Sequence, residues 1–554
     1  MDQGCAERRE TPAGRLSIRV RYLHQVRPTL AALLLLLLPT LSSAQGAAER
    51  QASERPNILF ILTDNQPAEA LGAYGNREFE TPHLDRLARE GMLFTRAFST
   101  NGLCTPSRAS ILTGLMPSQH GMHAALRNVL PGYPRDWVAV REFRTLPATL
   151  AHRGYRTAMI GKWHLGRYRR PALGYQHWVT FSEGHTTDFY NASIIENGEE
   201  YEIHDRHLVE FFTDKAIEYL VTHEGDAPFF LKLNYDAPYF LPPTNMGPDP
   251  KNPFYSKYEG RRFTPFPGLR PELLEPFPLL GDRGRPRDEA WRAYLNGVTL
   301  RYGRMHNDPA TMANMAAQNE MVDHHVGRLM AALKEAGMEE DTLVVFSSDQ
   351  GNLYGQHGLW GHPISTTPTF MVDTTFRIPL IFRHRGAIEP YRRIDMVVSH
   401  YDLMSTLLDY AGFGDVEITG SPGRSFAGVL TGDRIADWPD EAYFEHEESR
   451  SIRTPLYFYT KRLPAFGENE LYDLVSDPKQ QENVAGNPKY AETVAHLDRK
   501  VTAFFERYSD PRYDLWKGGR PKGIIYRPWL WRELHGDDWN PIVESAAPFE
   551  EPAR

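Results

Sequence analysis

The sequence predicts an α/β fold: a large, mostly parallel β-sheet flanked by helices, followed by a smaller C-terminal domain with an antiparallel sheet and a helix. Short continuous apolar runs alternate with helical patterns through most of the chain, and polar clusters follow those runs. After about residue 436 the pattern changes to shorter strands, some of them alternating. At 554 residues the chain exceeds one ordinary domain, which agrees with two units.

Several apolar runs are typical of parallel strands that are buried on both faces, because β-branched and aromatic residues continue without regular polar alternation. These runs are residues 57–62, 157–160, 229–233 and 343–347. Each ends in polar residues, such as Asp64 and Asn65 after the first and Asp349 and Gln350 after the last. Open α/β sheets bind ligands beyond the carboxyl ends of their strands, so we expect these residues to gather at one edge.

Helical patterns separate the predicted strands. Thr81 and Pro82 form an N-cap and first-turn pair that predicts a helix to Glu90. A long apolar stripe predicts a helix over 312–336, and a shorter amphipathic pattern predicts one over 400–410. Each of these helices is followed by glycine, which commonly ends a helix.

The C-terminal third divides into two parts. Short strands at 443–445, 451–454, 457–461 and 470–474, then a helix over about 488–508, predict an antiparallel subdomain at 436–510. The catalytic domain then spans 55–435. Residues 511–554 are rich in Pro, Trp and Arg without periodicity, and we interpret them as an extension that wraps around the domains.

The N-terminus predicts export. Basic residues precede a leucine-rich run at 30–38, and small residues follow at 42–44, the pattern of a cleavable signal peptide over 1–44. A retained signal anchor is the alternative, although the run is shorter than the roughly 20 residues that a transmembrane helix needs. We therefore expect a secreted or periplasmic protein without a membrane span in the mature chain.

Charge and composition narrow the range of partners. The net charge is −9 and no block of like charge occurs, so nothing favours nucleic acid as a partner. Apolar residues make up 41% of the chain and aromatic residues 12%, which indicates an ordered protein rather than a disordered one.

Cys104 is the only cysteine outside the predicted signal peptide, since the other is Cys5. It therefore has no partner for an intramolecular disulfide. Free cysteine is usually a small buried hydrophobe, and an inert thiol is the simpler interpretation. However, Cys104 begins the string Cys-Thr-Pro-Ser-Arg, and Thr113-Gly114 begins five residues after Arg108.

This string resembles the signature of the type I sulfatases, Cys-x-Pro-Ser-Arg followed by Thr-Gly, in which the cysteine is oxidised to formylglycine. Other segments resemble landmarks of that family in the same order: 55–58, 161–166, 348–351 and 470–478. The resemblance implies an alkaline-phosphatase-like sandwich that hydrolyses the sulfate ester of a small molecule or glycan. It also implies a formylglycine-generating enzyme as a maturation partner.

The predicted metal site has only oxygen donors from side chains at strand ends. Asp64, Asn65, Asp349 and Gln350 suit a hard cation, Ca²⁺ or Mg²⁺, better than Zn²⁺. The resemblance adds residue 104, as formylglycine, to the metal ligands. The alternative interpretation is that these side chains cap neighbouring helices.

The reaction explains why an oxidised carbon is needed at position 104. Hydrated formylglycine carries two hydroxyls, so one can attack sulfur while the other later expels sulfate and restores the aldehyde. By resemblance, Arg108 holds the hydrate and its loop, Lys162 contacts the hydrate and the sulfate, and His164 assists elimination as a base. Taken singly, these residues could instead form a surface ion pair or lie in a solvated loop.

Three positions depart from the family pattern. Asn65 replaces an aspartate, Tyr239 replaces a histidine after Ala-Pro, and His362 replaces a lysine. The last two positions normally contact the sulfate and the leaving oxygen. A histidine with an ordinary pKa near 6.5 would suit proton donation to a leaving alcohol, whereas a core tyrosine and a helix-flanking histidine are the alternatives. His357 and His185 are further candidates for lining the pocket.

Three functions remain open from the sequence. The first is an exported sulfuric ester hydrolase. The second is a phosphate- or phosphonate-ester hydrolase of the same fold, because the anions share their shape. The third is an inactive, carbohydrate-binding relative, which the three substitutions favour and the retained Cys104 motif opposes.

Overall fold

The structure is a computed structural model that describes residues 55–126, 137–166, 169–182, 186, 188–240, 246–269, 301, 303–366, 368–542 and 547–550. The predicted signal peptide and His185 lie outside the described residues. Within those residues, no helix has both the length and the apolar character that crossing a bilayer requires.

One large sheet of eleven strands organises the described part of the chain. Its first eight strands are β1 (Asn57–Asp64), β2 (Met92–Phe98), β3 (Arg156–Gly161), β4 (His177–Phe181), β5 (Ala192–Glu196), β6 (Glu199–Ile203), β7 (Phe229–Pro238) and β8 (Thr342–Ser348). A separate two-stranded sheet pairs β9 (Leu353–Tyr354) with β10 (Trp360–Gly361). The large sheet is completed by β11 (Arg377–Ile378), β12 (Leu380–Arg383) and β13 (Arg392–Ser399).

The centre of the large sheet is parallel, in the order β8-β1-β7-β3-β4. The four apolar runs identified in the sequence form β1, β3, β7 and β8. Antiparallel strands lie at both margins, with β12 beside β8 and β5 beside β4. The predicted fold class is confirmed, and the carboxyl ends of the central strands meet at one edge.

Helices cover both faces of the sheet. They are α1 (Pro82–Arg89), α2 (Cys104–Thr113), α3 (Pro117–His120), α4 (Leu146–His152), α5 (Leu208–Val221), α6 (Tyr255–Tyr258), α7 (Pro309–Glu335), α8 (Asp373–Phe376), α9 (His400–Tyr410) and α10 (Ala427–Leu430). The core of one face contains buried side chains of α1, α5 and α7, and the core of the other contains those of α2, α4 and α9. The sheet is therefore buried on both sides, as continuous apolar strands require.

The predicted helices match the structure closely. Helix α1 begins after Thr81 with Pro82 in its first turn, and α9 spans the residues that the sequence predicts. Helix α7 begins at Pro309, three residues earlier than predicted, because Asp308 caps it by accepting a hydrogen bond from the Thr311 N–H at 2.8 Å.

The C-terminal part contains the predicted antiparallel sheet, formed by β14 (Ala442–His446), β15 (Ser449–Arg453), β16 (Tyr457–Arg462) and β17 (Glu470–Asp473). Helix α11 (Ala491–Arg507) shares a hydrophobic core with it. In the final segment, a helix that the sequence did not predict, α12 (Pro528–His535), packs through Trp531 against Leu515 and Trp539. Its amphipathic stripe is only two turns long, which explains why no periodicity is visible in the sequence.

Candidate active site

Three groups from distant parts of the chain meet at the carboxyl edge of the central strands. One ligand atom each of Asp64, Cys104 and Asp349 lies within 4.8 Å of the other two, and all three residues are buried. Asp64 ends β1, Asp349 follows the neighbouring strand β8, and Cys104 begins α2. The parallel pairing of β1 with β8 therefore brings the two predicted metal-binding carboxylates together.

Helix α2 holds Cys104 in a fixed position. The Thr105 hydroxyl donates to the carbonyl of His164 at 2.9 Å, and the Ser107 hydroxyl donates to the carbonyl of Asn101 at 2.7 Å. At the other end Gly114 adopts a φ of 69°, a left-handed conformation that glycine tolerates without strain. Thr105 and Ser107 thus anchor the first turn of the helix, and Gly114 ends it.

Arg108, one turn after Cys104, joins the parts of the site. Its Nε donates to Asp349 Oδ2 at 2.9 Å, and its Nη1 donates to the carbonyl of Lys162 at 2.8 Å. Its Nη2 lies 3.6 Å from Asp64 Oδ2. The guanidinium is buried, so its planar fork sets the relative positions of three chain segments.

Lys162 completes a buried charge network by donating to Asp64. Burial is the largest single effect and opposes the charged form of Lys162, but Asp64, Cys104 and Asp349 together outweigh it, so the pKa of the lysine is raised. Burial and then Asp349 raise the pKa of Asp64 to about 6, against the opposing effects of Lys162 and Arg108.

Gly161 explains how Lys162 reaches this position. A Cβ at residue 161 would lie 1.9 Å from the carbonyl oxygen of Asn234, and φ there is 105°. Only glycine allows β3 and β7 to approach so closely at this point. The Lys162 N–H then donates to the same carbonyl at 2.8 Å, which directs the lysine along the sheet edge.

Asn65 and Gln350 lie together beside the two carboxylates. The Asn65 N–H donates to Asp349 Oδ1 at 3.2 Å, and Gln350 Nε2 donates to Asn65 Oδ1. The Nε2 of His362 lies 3.1 Å from the same Asn65 oxygen. Asn65 itself adopts a φ of 58°, a conformation that asparagine tolerates better than most residues.

The donor set fits a hard divalent cation. Oδ1 of Asp64 and Oε1 of Gln350 are buried oxygens without a hydrogen-bond partner among the described residues. Buried polar atoms are normally paired, so free oxygens beside two carboxylates suit a ligand that accepts oxygen donors. Among the described residues, no histidine belongs to the cluster of groups that could bind a metal.

His164 lies next to the nucleophile helix. Its Nε2 donates to the carbonyl of Leu126 at 2.8 Å, and the proton on that nitrogen leaves Nδ1 with the lone pair. The residue has a φ of 62° and is buried. Its backbone carbonyl also binds Thr105, so the imidazole is held against α2.

Tyr239 and His362 both lie close to Lys162. The Lys162 Nζ lies 5.0 Å from the centre of the Tyr239 ring, within the range of a cation–π contact. The rings of Tyr239 and His362 are 6.4 Å apart. The structure thus brings both substituted positions to the lysine that is expected to bind sulfate.

The pKa of His362 differs from the ordinary value assumed from the sequence. Burial and then the neighbouring charge of Lys162 lower the pKa to about 3 instead of 6.5. The ring is therefore neutral at pH 7 and can offer a hydrogen bond, but it is a poor source of a proton.

His357 does not join this cluster. Its Nδ1 lies 3.1 Å from Gln481 Nε2, and the residue lines a separate cavity of about 490 Å³ together with Arg377 and Gln356. The sequence could not separate it from His362 because only four residues lie between them.

Two residues of β7 in the site were missed. Asn234 donates through Nδ2 to the carbonyl of Lys162 at 2.9 Å, and Asp236 is a buried carboxyl close to Lys162 and Asp64. The signal was present in the sequence, since Lys232, Asn234 and Asp236 alternate with apolar residues in a run otherwise typical of a fully buried strand.

The fold is that of the alkaline-phosphatase-like class of α/β enzymes, and the site places Cys104, at the start of a helix, beside two buried carboxylates. Residues 56–413 match the model of the sulfatase family, and residues 357–507 match the model described as N-sulphoglucosamine sulphohydrolase, C-terminal. The chain belongs to the sulfatase family.

Individual relatives support this assignment. The chain is 30% identical over 556 residues to an N-acetylglucosamine-6-O-sulfatase of Bacteroides thetaiotaomicron, covering 88% of this chain and 94% of the relative. A solved structure in complex with its substrate, D-glucosamine-2-N,6-O-disulfate, is 26% identical and superposes with a TM-score of 0.66 over 82% of this chain and 98% of that chain. The chain is a sulfatase.

A phosphonate monoester hydrolase of Agrobacterium radiobacter has the same fold. It is 22% identical, with a TM-score of 0.60 over 82% of this chain and 97% of that chain. This likeness concerns the fold alone.

Proposed function

We propose that the protein is an exported sulfatase that removes a sulfate ester from an amino sugar of the glucosamine type, using Cys104 converted to formylglycine. The observation that carries this proposal is the buried cluster of Cys104, Asp64 and Asp349, bound to Arg108 and Lys162. The sugar is inferred from relatives named for N-acetylglucosamine 6-sulfate and glucosamine disulfate.

The unmodified thiol is poorly suited to attack. Burial, against the opposing effect of Lys162, raises the pKa of Cys104 to about 12, so the sulfur carries a proton at neutral pH. The thiolate is the reactive form of cysteine. Conversion to formylglycine, whose hydrate has two hydroxyls, would supply both an attacking oxygen and the group that later releases sulfate.

The charges of the site suit a monoanion. Asp64 and Asp349 balance Arg108 and Lys162, so these four side chains sum to zero. Asp64, Asn65, Asp349 and Gln350 would hold Ca²⁺ or Mg²⁺, which would make the site positive and stabilise charge on a sulfuryl oxygen. Lys162 would hold a second oxygen of the sulfuryl group, and neutral Tyr239 and His362 would complete its surroundings.

His164 supports the elimination step. Because its Nε2 proton is committed to Leu126, Nδ1 can accept a proton from the second hydroxyl at position 104 as sulfate leaves. A formylglycine-generating enzyme is the implied maturation partner, and the signal-peptide pattern at 1–44 supports export.

The proposal is tested by comparing hydrolysis of N-acetylglucosamine 6-sulfate, nitrophenyl sulfate and nitrophenyl phosphate by the purified, cation-loaded enzyme. We expect free sulfate from both sulfate esters and much slower release of phosphate. Faster release of phosphate, or hydrolysis of a phenylphosphonate ester alone, would favour the phosphate- or phosphonate-ester hydrolase instead. Binding of the sugar sulfate without turnover would indicate an inactive carbohydrate-binding relative.

A further inference from the structure

Strand β7 carries a row of polar side chains through the interior. Leu231, Leu233 and Tyr235 belong to the core on one face of the sheet. Lys232 and Asn234 alternate with them, so their side chains point to the opposite face. That face is the one on which α2 packs, because its core includes Phe230 of β7 and Ile111 of α2. Asp236 follows where the pairing of β7 with β1 shifts register, and the charged groups that act on it are Lys162, Asp64 and Arg108.

The first two members of the row have partners. Lys232 Nζ donates to Asn234 Oδ1 at 2.8 Å, and Asn234 Nδ2 donates to the carbonyl of Lys162 at 2.9 Å. Arg108 of α2 donates to the same carbonyl at 2.8 Å. The row therefore approaches the reaction site as it runs toward the carboxyl end of the strand.

The third member, Asp236, has none. Its exposure is 3%, and neither carboxyl oxygen accepts a hydrogen bond from another described residue. Leaving such a group unpaired in a protein interior is costly. A buried polar group aimed at a reaction site and lacking a protein partner is therefore expected to bind a ligand.

The sheet order places Asp236 between the two halves of the site. Strand β7 lies between β1, which ends at Asp64, and β3, which leads into Lys162. Asp64 is in register with Pro238, two residues beyond Asp236. Tyr239, the next residue, lies over the Lys162 ammonium.

The charged groups around Asp236 come from every neighbouring element. Lys162 after β3 and Arg108 of α2 favour its ionised form, whereas Asp64 of β1 opposes it. Asp349 after β8 is bound to Arg108, and Lys232 lies on the same strand as Asp236. Both nearby cations already have carboxylate partners, since Arg108 binds Asp349 and Lys162 binds Asp64.

In the site without a cation, burial is the main influence on the carboxyl and raises the pKa of Asp236 to about 7, against a hydrogen bond from its own backbone N–H. A carboxylate whose donor is only its own N–H is disfavoured in such a place, whereas a neutral carboxyl has an O–H group to donate. A protonated carboxyl that donates a hydrogen bond within an active site is an established device in other enzymes.

We propose that Asp236 is a further substrate-binding residue, which donates a hydrogen bond from its protonated carboxyl to an oxygen of the anion bound in the site. This inference rests on the proposed function, because it takes the anion to be sulfate. An ionised Asp236 would instead repel a sulfate held by Lys162. Binding of sulfate and protonation of Asp236 are therefore linked: each favours the other.

The affinity for sulfate is expected to decrease as the pH rises. Below its pKa the carboxyl already carries the proton that it donates, so sulfate binds without proton uptake. Above the pKa the proton must be taken up on binding, and the affinity falls as the pH rises, by up to about tenfold per pH unit. Sulfate is the suitable probe because, unlike phosphate, it does not itself titrate near neutral pH.

The test is calorimetric titration of the cation-loaded enzyme with inorganic sulfate at pH values on both sides of 7. We expect the affinity of the wild-type enzyme to fall with rising pH. Asp236→Asn keeps a donor without a titrating proton, so its affinity should resemble that of wild type at low pH and stay constant. Asp236→Ala should bind sulfate weakly at every pH.

Asp402 provides a matched control. It is also buried, and burial likewise raises its pKa to about 7, but its oxygens accept hydrogen bonds from the N–H groups of Ser399 and Arg424. Asp402→Asn should leave the pH dependence of sulfate binding unchanged. If Asp402→Asn flattened that dependence and Asp236→Asn did not, the assignment to Asp236 would be wrong.

A second measurement needs no variant. The wild-type enzyme titrated above pH 7 in two buffers of different ionisation enthalpy should take up protons as sulfate binds. The absence of proton uptake, or the same pH dependence in wild type and Asp236→Asn, would overturn the proposal. Failure of sulfate to bind at any pH, with tight binding of methyl phenylphosphonate, would instead contradict the proposed function. The proton count would then be made with that monoester, because it does not itself titrate near neutral pH.

Discussion

Two groups of residues meet at Lys162 and differ in how they carry charge. One, the paired side, consists of Arg108, Asp349 and Asp64, which form buried ion pairs with one another and with the lysine. The other, the ring side, consists of Tyr239 and His362, which are buried but uncharged near pH 7. The paired side would hold the nucleophile and the cation, and the ring side would meet the substrate.

Because of this difference, we expect substitutions on the paired side to lower the stability of the fold and substitutions on the ring side to change substrate specificity. Removing one member of a buried ion pair leaves an uncompensated charge and is costly for folding. Replacing a neutral ring by another ring of similar size leaves no uncompensated charge, since only hydrogen bonds are lost. The departures from the family pattern at 239 and 362 fall on the ring side, where a substitution leaves no charge without a partner.

The largest effect on activity is expected for variants of Cys104, which lies beside Asp64 and Asp349 of the paired side. Cys104→Ala should abolish hydrolysis, because no nucleophile remains, while the folded state is kept. Cys104→Ser should form a sulfated serine and stall, since it lacks a second hydroxyl. Mass spectrometry of the peptide containing residue 104 distinguishes these outcomes. Wild-type enzyme that is fully active with an unmodified thiol would refute the assignment of formylglycine.

A paired-side variant should lose both activity and stability. Asp349→Ala leaves Arg108 without its main partner, and we expect a loss of about 3–5 kcal/mol in the free energy of unfolding together with loss of bound Ca²⁺ or Mg²⁺. Denaturant unfolding and elemental analysis measure the two effects. Asp415→Ala, which breaks the exposed pair with Arg153, serves as the control and should leave the stability almost unchanged.

Stoichiometric zinc in active enzyme, without calcium or magnesium, would contradict the assignment based on oxygen ligands. If Asp349→Ala kept the stability of the wild-type enzyme, the comparison between the two sides would be wrong, because the ion pairs of the paired side would not be needed for stability.

His362→Ala should have an intermediate effect on activity and little effect on stability. Loss of one hydrogen bond near a charged group corresponds to about 1.5–3 kcal/mol in transition-state binding, or roughly tenfold to a hundredfold in kcat/KM. Because burial and Lys162 lower the pKa of His362 to about 3, the alkaline limb of the pH–rate profile should stay unchanged. A lost alkaline limb, with a selective loss for sugar sulfates, would identify the ring as a proton donor.

The smallest effect is expected at Tyr239. Tyr239→Phe keeps the ring whose centre lies 5.0 Å from the Lys162 Nζ, so KM should change by only a few-fold. Tyr239→Ala removes the ring and should cost about 0.5–2 kcal/mol of substrate binding. Equal, large losses in both variants would mean that the hydroxyl, rather than the ring, contacts the substrate.

The central fold could be predicted because its signals are local. The strands β1, β3 and β8 extend the predicted runs by only one or two residues at each end, since continuous apolar residues mark buried strands clearly. The strand β7 extends further, to Pro238, through alternating polar residues. Antiparallel strands such as β12 were missed because Leu380–Arg383 is too short to give a period.

The sequence predicts most of the residues that form the site, but it does not predict which of them contact one another. The motifs identified Arg108 and Asp349, yet they lie 241 residues apart, and only the strand order brings them together. The pKa of His362 depends on burial and on Lys162, neither of which is visible in its own segment. Asp236 was overlooked because it lies beyond the predicted run 229–233, whereas the strand continues to Pro238.

The burial of α2 bears on whether Cys104 can be modified before or after the chain folds. Every residue of the helix is buried, and Cys104 is only 2% exposed. The last segment adds to this closure, since the N–H of Lys522 donates to the carbonyl of Gly121 just after α3. If Cys104 is converted to formylglycine as proposed, the oxidising enzyme would have to reach it while the segment is still extended, before the sheet edge forms around it. Slow folding would then favour maturation, and a variant that folds faster would yield less active protein.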